Sequence, residues 1–167
     1  MEVKIATIED AEIITSIVEN TITEFYPKYL SEENIEYFLN LHSKENIIKD
    51  IQNKNVYVFQ YHGISFATAT IRENNVKRLY VLPSFEGNGY GSAIMTFFED
   101  KISEKYDYIL VDSTSPSINF YIKRGYYTIE NIEFNINNEK ILYYEILKKD
   151  LIRKEDKKHM IKKKNIK

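Results

Sequence analysis

Apolar side chains recur with helical spacing in the first third of the chain and with strand spacing after it. A short alternating segment opens the chain at 3–5, and apolar residues three or four apart then predict a helix at about 8–22. Ser31 and Ser43, each followed by acidic residues, predict the starts of two further helices. Runs rich in β-branched and aromatic residues follow, and they predict three strands at 56–61, 64–72 and 76–81.

The second half of the chain alternates between helix and strand patterns. The predicted elements are a helix at about 89–105, a strand at 108–111, a helix between Pro116 and Gly125, and strands at 126–134 and 141–147 joined at Asn137-Asn138. The order is one strand, three helices, three strands, a helix, a strand, a helix and two strands. This order predicts a mixed sheet with helices on its faces, an α+β or α/β layout.

Composition limits the class of protein. The chain has 167 residues, the size of one domain, and no cysteine, which excludes disulfides, thiolate metal sites and a cysteine nucleophile. We find no spacing of His, Asp and Glu that suggests a metal. No run of 18 apolar residues predicts a membrane span, and no cationic and then apolar leader predicts secretion. We therefore expect a cytoplasmic protein without a membrane partner.

The net charge of −2 hides an asymmetry along the chain. Residues 148–167 carry ten Lys or Arg against three Asp or Glu, a net charge of +7, which leaves −9 on residues 1–147. We interpret 1–147 as the folded domain and 148–167 as a basic C-terminal tail that is solvated or frayed. The acidic body argues against nucleic acid as a partner.

Three of the five glycines alternate in the segment Glu86-Gly87-Asn88-Gly89-Tyr90-Gly91, between a predicted strand and a predicted helix. Glycine lets backbone N–H groups approach a ligand, and a helix N-terminus adds partial positive charge. The loop is therefore a candidate phosphate site. No Lys follows Gly91, as a P-loop requires. A dinucleotide fingerprint fits Gly87 and Gly89 only in part, and its first glycine comes five residues after the strand.

The segment from Leu79 to Pro83, followed by the glycine loop through Ser92, resembles the coenzyme A loop of the GNAT N-acetyltransferase superfamily. That loop reads Gln/Arg-x-x-Gly-x-Gly/Ala, and Glu86 departs from it at the first position. A second segment, Asn119-Phe120-Tyr121-Ile122-Lys123-Arg124-Gly125-Tyr126, is similar to a short helical motif of the same family. The resemblance covers residues 3 to about 147 and implies the acyl-CoA N-acyltransferase fold, a mostly antiparallel sheet flanked by helices.

The resemblance also implies acetyl-CoA as cosubstrate and a set of residues that bind it. The backbone N–H of Val81 or Leu82 would face the thioester oxygen, and Asn119 would hydrogen-bond the pantetheine arm. We expect Glu86 to turn away from the pyrophosphate or to pair with Lys123 or Arg124. The remaining residues of the implied cofactor site are the loop residues Gly87, Asn88, Gly89, Tyr90, Gly91 and Ser92.

Tyr121 is the predicted general acid for the departing thiolate. From reference pKa values, transfer of a proton from a phenol to a thiolate costs only ~2 kcal/mol. Glu24, Tyr26 and Tyr37 would line the acceptor side if the family arrangement holds, where acidic and aromatic groups suit a cationic amine. The general base stays open among Glu24, Glu73, Glu133, His62 and a water chain.

Three classes of function remain. The first is an N-acetyltransferase that acts on a small-molecule amine or a peptide by direct attack. The second is a catalytically silent module that binds coenzyme A, and the third is a dinucleotide-binding oxidoreductase. An intact Tyr121 favours the first class, whereas Glu86 is the one residue that favours the second. The sequence leaves open the acceptor and whether the chain forms a homodimer.

Overall fold

The computed structural model describes residues 1–137 and 140–153. Short 3₁₀ helices at Ile8–Asp10, Tyr26–Lys28 and Pro83–Phe85 link the main elements. The helices are α1 (Ala11–Phe25), α2 (Glu32–Leu41), α3 (Lys44–Gln52), α4 (Tyr90–Ile102) and α5 (Ser115–Lys123). The strands are β1 (Glu2–Ile5), β2 (Val56–Tyr61), β3 (Ile64–Arg72), β4 (Asn75–Val81), β5 (Tyr108–Ser113), β6 (Tyr127–Asn137) and β7 (Lys140–Asp150).

All seven described strands form one sheet in the order β1-β2-β3-β4-β5-β7-β6. Every neighbouring pair is antiparallel except β4 and β5, which are parallel. Helices pack on both faces of this sheet, so the α+β fold predicted from the element order is confirmed. None of the helices within the described ranges combines the length and apolar character needed to cross a bilayer.

Strands β4 and β5 separate soon after they meet. Their register contains only two pairs, Asn75 with Leu110 and Val76 with Val111. The antiparallel pairing of β4 with β3 continues to Val81. At its N-terminal end β4 therefore has a strand partner on both sides. At its C-terminal end it pairs only with β3, and its other edge is open.

A β-bulge lies where β4 begins to leave β5. The register with β3 passes from Thr70–Lys77 to Thr68–Tyr80, so two residues of β4, Arg78 and Leu79, oppose a single residue of β3. Arg78 adopts a left-handed backbone with φ of 52°. Such strain costs a non-glycine residue roughly 1–3 kcal/mol and persists where the surrounding structure holds it. A bulge also bends and twists its strand, which accounts for the divergence from β5.

The sheet divides the apolar core into two clusters. The cluster under α4 and α5 contains the fully buried Phe59, Phe66 and Phe98. The cluster under α1–α3 contains Ile14, Ile22 and several further buried aliphatic side chains. Because each face of the sheet has its own core, α1 and α5 are fixed independently on opposite sides of the gap beside β4.

Strand β7 is three residues longer at its C-terminal end than the strand predicted at 141–147. Lys148–Asp150, the first residues of the predicted tail, pair with Tyr108–Leu110 of β5. The Lys149 ammonium lies 2.9 Å from Glu99, and Leu151 packs against the core cluster under α4. The remainder of the predicted tail, residues 154–167, lies outside the described residues, as does the centre of the turn predicted at Asn137-Asn138.

These contacts predict that truncation after Leu147 destabilises the protein. The shortened chain loses three strand pairs, the Lys149 ion pair and the apolar contact of Leu151. At about 1 kcal/mol for each hydrogen bond, the loss is roughly 3 kcal/mol, which lowers the melting temperature by about 6–12 °C in a domain of this size. Calorimetry checks this against a chain that ends at Arg153, which keeps every described contact. Equal melting temperatures of the two chains would contradict the prediction.

Candidate functional site

The gap beside β4 opens into a groove of about 430 Å³. Its walls come from the end of β4, the C-terminal part of α1, the glycine loop and one face of α5. The lining residues are Thr21, Phe25, Tyr26, Leu79, Tyr80, Val81, Phe85, Glu86, Gly87, Gly89, Tyr90, Gly91, Ser92, Ser117, Phe120 and Tyr121. The two segments singled out by sequence, the glycine loop and the Tyr121 helix, therefore face each other across one groove.

The glycine loop presents backbone N–H groups to this groove. Gly87 and Gly89 have φ of 74° and 78°, and an added Cβ at either position would meet no atom within 4 Å. Gly89 is the N-cap of α4, so the N–H groups of Tyr90, Gly91 and Ser92 occupy the first turn, where a helix has no internal acceptors. These amides and the helix dipole make the loop a site for an anion such as phosphate.

Two aromatic side chains hold the loop in place. Phe85 and Tyr90, on either side of it, pack on the fully buried Phe66 of β3, with ring centroids at 4.8 and 4.6 Å. The Asn88 side chain donates to the Glu86 carbonyl at 3.0 Å, which tightens the turn itself. The side chains of Tyr90 and Asn88 are therefore engaged within the protein, where they hold the loop in shape.

The hydrogen-bond pattern of β4 distinguishes the two predicted oxyanion donors. The Leu82 N–H donates to the Phe66 carbonyl at 2.9 Å and is not available to a ligand. Neighbouring residues of an antiparallel strand direct their N–H groups to opposite sides. Val81, whose register partner is Ala67, therefore directs its N–H away from β3, into the gap that β5 has left.

Tyr121 lies on α5 with its ring at the floor of the groove, where it is only 6% exposed. Ser117, one helical turn earlier, lines the same surface. The Tyr126 ring packs edge-on against Tyr121 at 5.5 Å, and the Tyr126 hydroxyl donates to Glu99 at 3.1 Å. Glu99 also binds Arg124 and Lys149, so a partly buried ionic cluster supports the wall behind Tyr121. Burial raises the pKa of Tyr121 above its ordinary value, and it stays protonated.

A second cavity, of about 590 Å³, meets the groove at Tyr121. Five residues line both spaces: Tyr26, Leu79, Tyr80, Ser117 and Tyr121. The Tyr26 hydroxyl lies 3.4 Å from that of Tyr80 at this junction. The second cavity extends from there between α2, α3 and the strands β4, β6 and β7. A molecule in the groove and another in the second cavity would therefore meet beside three tyrosine side chains.

A network of charged groups forms one wall of the second cavity. Asp50 of α3 accepts from Arg72 at 2.6 Å and from Arg78 at 3.0 Å. The Arg78 Nε donates to His42 Nδ1 at 3.1 Å, which leaves the histidine proton on Nε2. Burial, together with the Arg78 charge, lowers the pKa of His42 to about 3, so this imidazole is neutral and a weak base.

The other predicted site residues are dispersed. Tyr37 lines the second cavity, but Glu24 and Asn119 are exposed and line neither space. Glu86 sits at the groove edge, where partial burial raises its pKa and nearby Lys28 acts in the opposite direction. Of the alternatives considered for Glu86, Arg124 as a partner is not what the structure shows, because Arg124 binds Glu99. The remaining candidate bases lie in turns or on an exposed strand face: His62, Glu73 and Glu133.

Sequence reasoning missed the polar residues of the second cavity. His42 directly follows α2, whereas Asp50 lies on α3 and Arg78 on β4. Nothing in the local pattern marks these residues as neighbours. Ser117 could have been found, because it precedes Tyr121 by one helical turn and must share its face.

Comparison with known proteins bears on this geometry. Residues 26–147 match the family model described as an acetyltransferase (GNAT) domain. A search of curated proteins with the sequence found no significant match.

Many solved structures share the fold. A GCN5-related N-acetyltransferase from Rhodopseudomonas palustris superposes with a TM-score of 0.81 at 20% identity, covering 90% of this chain and 95% of its own. PaiA N-acetyltransferase from Thermoplasma acidophilum, in complex with coenzyme A, gives 0.68 at 20% identity and covers 89% and 98%. YncA from Salmonella typhimurium, whose structure holds acetyl-CoA, gives 0.60 at 15% identity and covers 90% and 94%.

The low pKa of His42 predicts an acid-dependent loss of stability. With a pKa of about 3 when folded and about 6.5 when unfolded, His42 binds a proton more readily in the unfolded chain. Its contribution to stability is complete above pH 6.5 and falls as the pH drops toward 3. At pH 4.5 the loss is about 2–3 kcal/mol.

Denaturant unfolding of wild type and His42→Asn from pH 7.5 to 4.5 measures this effect. The Asn amide oxygen can replace Nδ1 as acceptor for Arg78 but does not titrate, so the free energy of unfolding of the variant should fall less steeply with acid. Parallel curves for the two proteins would show that the pKa of His42 is not lowered by folding.

Proposed function

The chain belongs to the GNAT acetyltransferase family, and from that membership we propose that it transfers an acetyl group from acetyl-CoA to a primary amine by direct attack. Acetyl-CoA supplies an activated acetyl thioester. A bond forms between the amine nitrogen and the acetyl carbon, and the carbon–sulfur bond breaks. One proton leaves the nitrogen and one joins the sulfur, which gives an N-acetylamine and a free thiol. The observation that carries the proposal is the meeting of groove and second cavity beside Tyr121.

The glycine loop is the proposed site for the pyrophosphate of coenzyme A. The left-handed Gly87 and Gly89, the space in front of them and the first-turn amides of α4 support this assignment. Backbone amides suffice here, so Glu86, in place of the usual Gln or Arg, does not prevent binding. From the loop, the gap beside β4 leads toward the second cavity, the path that the pantetheine arm would follow.

The Val81 N–H is the proposed oxyanion donor. It points into the gap and is not engaged by β3, whereas the adjacent Leu82 N–H is. A fixed backbone donor stabilises negative charge on the thioester oxygen without reorganising during the reaction, and one such donor typically contributes about 3–4 kcal/mol.

Tyr121 is the proposed general acid. Its ring is buried at the junction of the two spaces, and its raised pKa keeps the proton on the hydroxyl throughout the physiological range. Loss of this proton would therefore not produce a basic limb in the pH–rate profile below about pH 10. None of the proposed side-chain bases lines either space, so the amine proton is proposed to leave through water in the open second cavity.

Gly89→Val tests the pyrophosphate site. The β-branched side chain projects into the space in front of the loop, so affinity for acetyl-CoA should fall at least tenfold by calorimetry. Gly63→Val is a matched control, because Gly63 also has φ of 78° with no atom within 4 Å of an added Cβ, but it lies in the β2–β3 turn. The control should share the backbone strain and keep its affinity. Equal affinities of all three proteins would overturn the assignment.

Tyr121→Phe tests the general acid. The substitution keeps the ring and removes the proton donor, so turnover should fall about 100- to 10,000-fold with little change in acetyl-CoA affinity. Tyr126→Phe is the matched control: it removes a neighbouring buried hydroxyl, bound to Glu99, and should change turnover less than threefold. Thiol release with a panel of amines measures both.

Two results would contradict parts of this proposal. If Tyr121→Phe keeps more than about a third of wild-type turnover, with chemistry rate-limiting, another group protonates the thiolate. If wild-type protein binds acetyl-CoA but acetylates no amine of the panel, it is a silent module that binds coenzyme A.

A further inference from the structure

The second cavity carries an excess of positive charge. Its lining includes four cations, Lys49, Arg72, Lys77 and Arg78, against two carboxylates, Asp50 and Asp112. The chain as a whole has a net charge of −2, and residues 1–147 have a net charge of −9. The cavity lining therefore has a net charge of +2, although the domain that contains it is acidic. The positive charge is a local property of the cavity.

Both carboxylates are already engaged by protein groups. Asp112 binds Lys77 at 2.9 Å and accepts from Asn75 at 3.1 Å. Asp50, only 5% exposed, lies between Arg72 and Arg78, so one carboxylate serves two guanidinium groups.

Lys49 adds the second excess charge. It lies one residue before Asp50 on α3. Its ammonium donates to Asn46 at 3.4 Å and forms no ion pair with a carboxylate among the described residues. The uncompensated charge is therefore concentrated at the α3 end of the cavity.

Arg78 is held in place before any ligand arrives. Its side chain is only 7% exposed and is fixed by Asp50 and by His42. Its backbone is left-handed, at the bulge that opens the gap. Arg72 is different, since 55% of its side chain is exposed and it contacts Asp50 through one nitrogen, Nη2. Its other guanidinium N–H groups can bind an anion in the cavity.

The positive end adjoins the reaction centre. Arg78 and Tyr80 are two residues apart on β4, and the His42 ring lies 5.5 Å from the Tyr80 ring. Tyr80 lines the junction with the groove. A cavity of about 590 Å³ suits a small molecule, and its lining includes both Arg72 and, at the junction with the groove, Tyr80.

We propose that the acceptor is a small amine that also carries an anionic group, a carboxylate or a phosphate, and that Arg72 and Lys49 bind this group. The inference rests on the proposed acetyl transfer and names its substrate class. It replaces the expectation that acidic side chains recruit a cationic amine, because Glu24 does not reach the cavity. Nearby cations also disfavour the ammonium form of the amine, and so favour the neutral form that attacks.

Matched pairs of acceptors test the proposal in the thiol-release assay with the full chain. Phenylalanine is compared with phenethylamine, which lacks the carboxylate, and phosphoethanolamine with ethanolamine, which lacks the phosphate. The anionic member of at least one pair should have a kcat/KM at least tenfold higher, chiefly through a lower KM, and its advantage should shrink as salt is added. The pair with the larger ratio identifies carboxylate or phosphate as the anion.

Removal of single positive charges from the cavity tests whether these residues cause the preference for anionic acceptors. Arg72→Gln and Lys49→Gln should each reduce the ratio of kcat/KM between the anionic and the uncharged acceptor at least fivefold. Both side chains are exposed, and Asp50 keeps Arg78 after the first change, so melting temperatures should confirm that both variants fold. Lys105→Gln, an equal change of charge on an exposed residue outside the cavity, should leave the ratio unchanged.

The outcomes separate this inference from the proposed function. Equal or better acetylation of the uncharged amines would overturn the inference and leave acetyl transfer standing. An unchanged ratio in Arg72→Gln and Lys49→Gln would likewise overturn the assignment of the anion to these residues. Absence of acetylation of every amine, with acetyl-CoA still bound, would overturn both proposals.

Discussion

Strand β4 stays hydrogen-bonded to β3 to its end but leaves β5 after Val76, and the rest of the site depends on this separation. Buried backbone groups in a sheet normally all pair. Here the edge of β4 that faces the gap has no strand partner beyond Val76, and the Val81 N–H that we propose as the oxyanion donor lies on this edge. The separation also leaves room for side chains from opposite faces of the sheet. Tyr26, directly after α1, and Tyr121 of α5 both line the groove there. The bulge at Arg78 lies at the point of divergence, so the strained residue and the opening are parts of one structural feature.

The same bulge couples the shape of the site to its charge. Arg78 is directed into the second cavity, where Asp50 and His42 receive its guanidinium. A buried cation is costly unless it is paired and hydrogen-bonded, and here Asp50 pairs with Nη2 while His42 accepts from Nε. Asp50 could neutralise Arg78 alone, but it also binds Arg72. The charged wall is thus stable without a ligand and still carries net positive charge. For this reason we propose that it binds an anionic group of the acceptor.

The sequence predicted those parts of the molecule that depend on local patterns. The order of elements, the glycine loop at a helix start and the helix ended by Gly125 each occupy a short segment with its own chemistry. The last strand was predicted too short because Lys148–Asp150 are charged; their pairing is decided by β5 and not by hydropathy. The cavity was not predicted, because Arg78, Asp50 and His42 are distant in sequence and look like ordinary surface residues. Glu24, in contrast, was predicted to line the acceptor side and does not. It lies two residues before Tyr26, but the turn of α1 directs its side chain to solvent.

The burial of Tyr121 bears on whether a phenol can serve as the acid. Burial raises its pKa, and taken alone this makes the hydroxyl a poorer donor than a free phenol. The sulfur that receives the proton would lie in the same groove, however, and burial also raises the pKa of a thiol, because in both cases the anionic form loses its solvation. The free energy of proton transfer depends on the difference between the two pKa values. Because burial moves both in the same direction, that difference changes less than either value, and the cost stays closer to the roughly 2 kcal/mol that separates the reference groups.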